Sequence, residues 1–138
     1  MKKTLKWIVL IVVIIAIIAV SIILIKAGEK KKENKAEWEF KDNIYSLVKV
    51  IYSNDGFYNG YTVTSSNKNN EASITLFIPE NQDNFEESMQ EYMDKAIKSN
   101  SNLKDTKLDI EVKVVEDDCH YTFSFKGSEL KEHNNDCK

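Results

Sequence analysis

The sequence predicts an α+β chain: an N-terminal transmembrane helix, then a small α-β-β-α-β-β domain built on a four-stranded antiparallel sheet. Three observations predict it. Trp7 to Ile25 is an unbroken apolar run without a charge. Two later segments, about 36–52 and 83–98, carry apolar residues largely at helical spacing. Four further segments are β-type in composition or strictly alternating, and turn-forming residues bound them.

The first helix follows from length and composition. WIVLIVVIIAIIAVSIILI is nineteen residues, with Ser21 the one clearly polar member. At ~1.5 Å per residue it spans about 28 Å, against a bilayer hydrocarbon thickness of ~30 Å. A domain of the remaining size has no core able to bury a helix that is apolar all round. The start MKKTLKW also suits the n-region of a secretory signal. However, the run exceeds the ~7–15 residues of a cleavable signal, and Ile25-Lys26-Ala27 is a poor cleavage site. An uncleaved single-pass signal anchor is therefore expected. No cysteine follows the run, which argues against a lipoprotein anchor.

The segments divide as a short basic tail (1–6), the membrane helix (7–25), a basic juxtamembrane linker (26–35) and a soluble domain (36–138). Lys26, Lys30, Lys31, Lys32 and Lys35 of the linker are candidates for contact with an anionic membrane surface, each worth about 1 kcal/mol there. A stop-transfer and spacer role accounts for them equally. Counting lysines either side of the helix puts the domain in the cytoplasm by the positive-inside rule. The export-like start and the even cysteine pair, Cys119 and Cys137, favour the outside instead. The domain is expected to be extracytoplasmic.

From Ala36 onward there are 11 Lys against 20 Asp and Glu, a net of −9; the preceding residues carry 8 Lys and 2 Glu, a net of +6. An acidic domain disfavours nucleic acid as a partner. Arginine, the bidentate reader of phosphate and carboxylate, is absent. The lipid bilayer and a protein or peptide are the expected partners, and no cofactor is expected.

Within the domain, Trp38, Ile44, Leu47, Val48 and Ile51 form the stripe of the first soluble helix, which Ser53-Asn54-Asp55-Gly56 ends. Strands are expected over about 57–66 and 72–78, joined by a hairpin turn at Asn67-Lys68-Asn69-Asn70 and closed by Pro79. Asp83 or Asn84 caps the next helix, whose stripe is Phe85, Met89, Tyr92, Met93, Ala96 and Ile97. A polar loop, 99–105, follows. Leu108, Ile110, Val112 and Val114 then alternate with Lys107, Asp109, Glu111 and Lys113. After a turn at Asp117-Asp118, Cys119, Tyr121, Phe123 and Phe125 point inward, and His120, Thr122, Ser124 and Lys126 outward.

Cys119, His120, His133 and Cys137 are four metal-ligand types in the last twenty residues, and zinc is the metal they suit. Adjacent residues on a strand leave on opposite faces, so Cys119 and His120 do not readily share an ion. An extracytoplasmic Cys119–Cys137 disulfide is the better reading; it closes about 19 residues and contributes on the order of 3 kcal/mol. For catalysis, His120 beside Thr122 or Ser124 offers a base and a hydroxyl, but hydroxyls alternating with charges are ordinary strand surface. Glu86-Glu87 and Asp117-Asp118 lack the alternating oxygen ligands of a calcium loop. The expectation is a non-enzymatic chain without catalytic, cofactor or metal residues.

A basic start, one apolar helix continuing into a domain, an antiparallel sheet and a late cysteine pair resemble a type IV pilin or pseudopilin. Those families carry a Gly-Phe-like processing site and a glutamate early in the apolar run. Here Leu5-Lys6-Trp7 precedes a run without any acid. Residues about 57–126, with NFEESMQEYMDKAI as the helix, also resemble the small uncharacterised β-β-α-β-β domains of exported proteins and lipoproteins of Gram-positive bacteria. That resemblance implies an envelope location and no particular activity. The function expected is a membrane-tethered extracytoplasmic binding or envelope-complex module. The alternatives are a structural subunit of a pilus-like or secretion assembly, and a metal-binding domain using the C-terminal Cys/His cluster.

Overall fold

The structure is a computed structural model that describes residues 1–53, 57 and 60–137. The described elements are helix α1 (Lys2–Tyr52), strands β1 (Tyr61–Ser66) and β2 (Glu71–Ile78), helix α2 (Phe85–Ser99), a short 3-10 turn (Ser101–Leu103), and strands β3 (Lys107–Val114), β4 (Cys119–Lys126) and β5 (Glu129–Asn135). The chain forms two compact units, Met1–Ala36 and Glu37–Lys138.

The first unit is helical, and its apolar residues from Trp7 to Ile25 lie on the surface with none buried. By length and composition this helix is long and apolar enough to cross a membrane.

The second unit is one sheet with both helices packed against a single face. Alternate residues of the central strands, Ala72, Ile74, Leu76 and Ile78, then Leu108, Ile110, Val112 and Val114, then Tyr121, Phe123 and Phe125, enter one core. Phe40, Ile44, Leu47, Val48 and Ile51 of α1 and Phe85, Met89, Met93, Ala96 and Ile97 of α2 cover it. The α1 stripe differs from the expected one by a residue: Phe40 is buried, whereas Trp38 is 66% exposed with Lys41 Nζ 5.5 Å above its ring. Phe40 lies four residues before Ile44, on the same helix face, and Trp38 does not.

Two further expectations are corrected. The sheet has five strands in the order β1-β2-β3-β4-β5, not four, and it is mixed: β2 and β3 run parallel while every other pair is antiparallel. The parallel pair follows from α2. Its fifteen residues travel about 22 Å, close to the ~26 Å of an eight-residue strand, and return the chain to the end where β2 began. The next strand must then run alongside β2 in the same direction. The parallel ladder continues past both strands, with Val115 N–H donating to the Ile78 carbonyl and Glu116 N–H to the Pro79 carbonyl, both at 3.0 Å.

The fifth strand is ELKEHNN, turned back from β4 by Gly127-Ser128. Gly127 is required there. Its φ is +59°, and a Cβ would lie 2.1 Å from the Lys104 carbonyl oxygen. The β4–β5 register shifts at Ser124/Phe125, so that Glu132 pairs with Ser124 and Leu130 with Phe125.

The hairpin turn at Asn67–Asn70 is present. Asn70 holds φ 52°, a left-handed conformation that asparagine tolerates better than most residues. Its side chain also ties the turn to the loop before β3: Nδ2 donates to the Asp105 carbonyl, and Oδ1 accepts from the Thr106 hydroxyl at 2.8 Å. That bond satisfies Thr106, which is buried. Asn84 occupies the cap position of α2 at φ 57°, without a side-chain capping hydrogen bond. Of the strand expected over about 57–66, Tyr61–Ser66 is observed and Phe57 is not in it, while residues 58–59 and the helix stop at Asn54-Asp55-Gly56 lie outside the described residues.

Candidate functional site

The antiparallel β4–β5 hairpin decides where the C-terminal cysteines go. Its register pairs Tyr121 with Asn135; two residues further on, Cys119 faces Cys137. They are bonded, with Cα atoms 5.2 Å apart. The disulfide closes the open end of the hairpin beside the core, where Cys137 is buried. On the other side of that end, His120 Nδ1 lies 2.9 Å from Asp136 Oδ2, and the Asp136 carboxylate also accepts the His120 backbone N–H. The last turn of chain is thus held by one covalent bond and one paired carboxylate.

This arrangement separates the four metal-ligand types. His133 sits on β5 opposite Phe123, on the helix side of the sheet, with Nε2 3.5 Å from Glu86 Oε2. His120 is on the open side. Cys119, Asp136 and Cys137 bring their ligand atoms within 4.8 Å of one another, but both sulfurs are spent in the disulfide. The zinc set Cys119, His120, His133 and Cys137 is therefore not assembled.

Two of the three groups of the hydroxyl-and-base arrangement have partners elsewhere. His120 is engaged with Asp136, and the Ser124 hydroxyl donates to Asp109 Oδ1 at 2.7 Å. Glu86 meets His133, and Asp117 Oδ2 accepts the Asn81 backbone N–H at 3.0 Å. Each of these carboxylates has a structural partner.

What the strands do bring together is the face of the sheet that no helix covers. Cross-strand registers align Thr64, Ser73, Asp109, Ser124 and Glu132 in one row, and Thr62, Thr75, Glu111, Thr122 and Asn134 in the next. A shallow depression of about 470 Å³ lies over Ser73, Thr75, Asp109, Glu111, Thr122 and Ser124. Lys107 Nζ is 3.1 Å from Asp109 and Lys113 Nζ 3.9 Å from Glu111, so lysines balance the acids of β3. Its hydrogen bond to Asp109 and that carboxylate's charge hold the Lys107 pKa above the ordinary lysine value. Such a face presents hydroxyl donors and acceptors to a polar partner; it has no arginine fork, and Phe77 stands in the row of Lys113 and His120 at one end.

No protein-family model, curated protein or solved structure matches this chain.

The linker lysines lie in α1. Lys26, Lys30, Lys31, Lys32 and Lys35 are all exposed, and at ~100° per residue they spread around the helix instead of lining one face. A collar of this kind does not gather the five ammonium groups on one side of the helix. The open hydroxyl face was the feature least visible in the sequence. Thr122 and Ser124 read as ordinary surface, and only the parallel β2–β3 register places Ser73 and Thr75 beside Asp109 and Glu111.

Proposed function

We propose that this chain is a membrane-tethered extracytoplasmic module, anchored by the apolar part of α1, that binds a protein or peptide or belongs to an envelope complex. The observation that carries the reading is the Cys119–Cys137 bond, because such bonds persist in oxidising compartments and are rare where thiol buffers operate. The exposed apolar helix supports a bilayer as its covering. The lysines after it support contact with the anionic headgroup layer. The uncovered sheet face, polar and close to charge-balanced, supports binding of a folded or extended protein partner. The domain's net charge of −9 argues against nucleic acid. The reading is non-enzymatic; it is supported by the structural engagement of His120 with Asp136, Ser124 with Asp109, and Glu86 with His133.

A second reading, a structural subunit of a pilus-like or secretion assembly, is favoured by one observation. Helix α1 covers Lys2–Tyr52, so the apolar run precedes a helical segment that contributes Phe40 to Ile51 to the core, an order of segments resembling that of type IV pilins. The missing processing site and glutamate count against it.

Mass spectrometry of the mature N-terminus separates the possibilities. An N-terminus at Met1 or Lys2 is expected for the anchor. A start near Ala27 or Gly28 would replace the anchor with a cleaved signal, and a start within Lys3–Trp7 would favour the processed assembly subunit.

A further inference from the structure

The two edges of the sheet are unlike. β5 carries Glu129, Lys131, Glu132 and His133, and its register shifts at Ser124/Phe125. Charges and irregularities of this kind discourage the addition of another strand. The opposite edge has neither. β1 is YTVTSS, with no charge and no proline, and it runs in unbroken register with β2. Thr62 and Thr64 are exposed. Among the described residues, the backbone of β1 is bonded to β2 alone. Its outward N–H and C=O groups form a template for strand addition.

We propose that β1 pairs with the β1 strand of a second copy of this chain, antiparallel about a two-fold axis normal to the sheet. The two five-stranded sheets then become one. Keeping both helix layers on the same side requires residues of like facing to oppose each other. Val63 therefore meets Val63 of the second copy on the helix side, and Thr62 meets Thr64 of the second copy on the open side. Both are favourable cross-strand pairs. A two-fold interface brings each residue near its own kind, so any charge in the strand would be repelled by its copy. A strand free of charge meets that condition, whereas a basic peptide would find no acid on β1 to recognise. The net charge of −9 per domain opposes association through long-range repulsion, which salt screens. Pairing is therefore strengthened by salt, the reverse of binding to a basic partner. The inference goes beyond the binding-module reading and does not rest on it, because the pairing uses only the β1 edge of the folded domain.

The test uses the full chain in detergent micelles, with protein mass measured by sedimentation at low and at high salt. The expected result is a two-chain species whose fraction rises with salt. Thr64→Lys, at an exposed position, is expected to give a single chain at concentrations where the parent is paired, with the melting temperature that the parent shows when diluted to a single chain. When Thr62→Cys and Thr64→Cys chains are co-expressed, a mixed disulfide-linked dimer is expected. A single chain at every salt concentration would overturn the proposal. So would a dimer that weakens with salt, or one that persists in Thr64→Lys and is therefore held elsewhere, for instance by the apolar helices. The result is independent of which side of the membrane the domain occupies, so it separates failure of this inference from failure of the topology.

Discussion

Tyr121 shows how one side chain couples the core to its charged surroundings. Its ring packs 4.9 Å from Phe85 while its hydroxyl donates to Asn81 Oδ1. Burial raises its pKa above the ordinary value, and the charges of Glu86, Asp117 and Asp83 add to the effect. A raised folded-state pKa means that folding favours the neutral phenol. The stabilisation is complete below the unfolded value of ~10 and is lost as pH rises through the folded value. Denaturant melts between about pH 9 and about pH 11 should show falling stability, and Tyr121→Phe should flatten that fall while costing about 1 kcal/mol near neutrality. An equally steep alkaline loss in the variant would exclude Tyr121 as its source. The inward position of Tyr121 was legible, because strict alternation from Cys119 to Phe125 places it there. Its partner Asn81, forty residues earlier, was not, since no local pattern reports a contact across the sheet. Asn70 teaches the same lesson: its turn role reads from composition, its second role at Thr106 only from the fold.

At the scale of elements, periodicity found both helices and the four strands from β1 to β4, and it failed where strands are defined by their neighbours. β5 has one half-buried apolar residue, Leu130, and the rest of the strand is exposed. An edge strand gains from charge, so its sequence imitates a loop. The Gly127-Ser128 pair after β4 was the available signal, a two-residue hairpin connection. The parallel β2–β3 pair was inferable from the intervening helix, because a crossover of that length returns the chain before the next strand starts. Gly127 makes the hairpin testable. Gly127→Ala adds a Cβ against the Lys104 backbone at positive φ. It should destabilise the domain by on the order of 3 kcal/mol, a large effect for so small a change. Thermal or denaturant unfolding checks it; a loss below about 0.5 kcal/mol, the range of ordinary surface substitutions, would mean that the turn relaxes freely.

For the whole molecule, composition had already separated an apolar helix, a basic linker and an acidic domain. That division carries the account further than any side-chain constellation does. The polar clusters that looked chemical in the sequence became structural once placed: the cysteines a hairpin clasp, His120 and Asp136 its outer tie, His133 a contact to α2. The lysine count and the cysteine pair argue for opposite sides of a membrane, and the proposed function takes the outside. Labelling of Cys119 and Cys137 by a membrane-impermeant thiol reagent in intact cells tests this most directly. The account predicts no labelling before treatment with an impermeant reductant and labelling of both cysteines after it. Cysteines that react only once the cells are lysed, with no reductant needed, would place the domain in the cytoplasm and contradict the account.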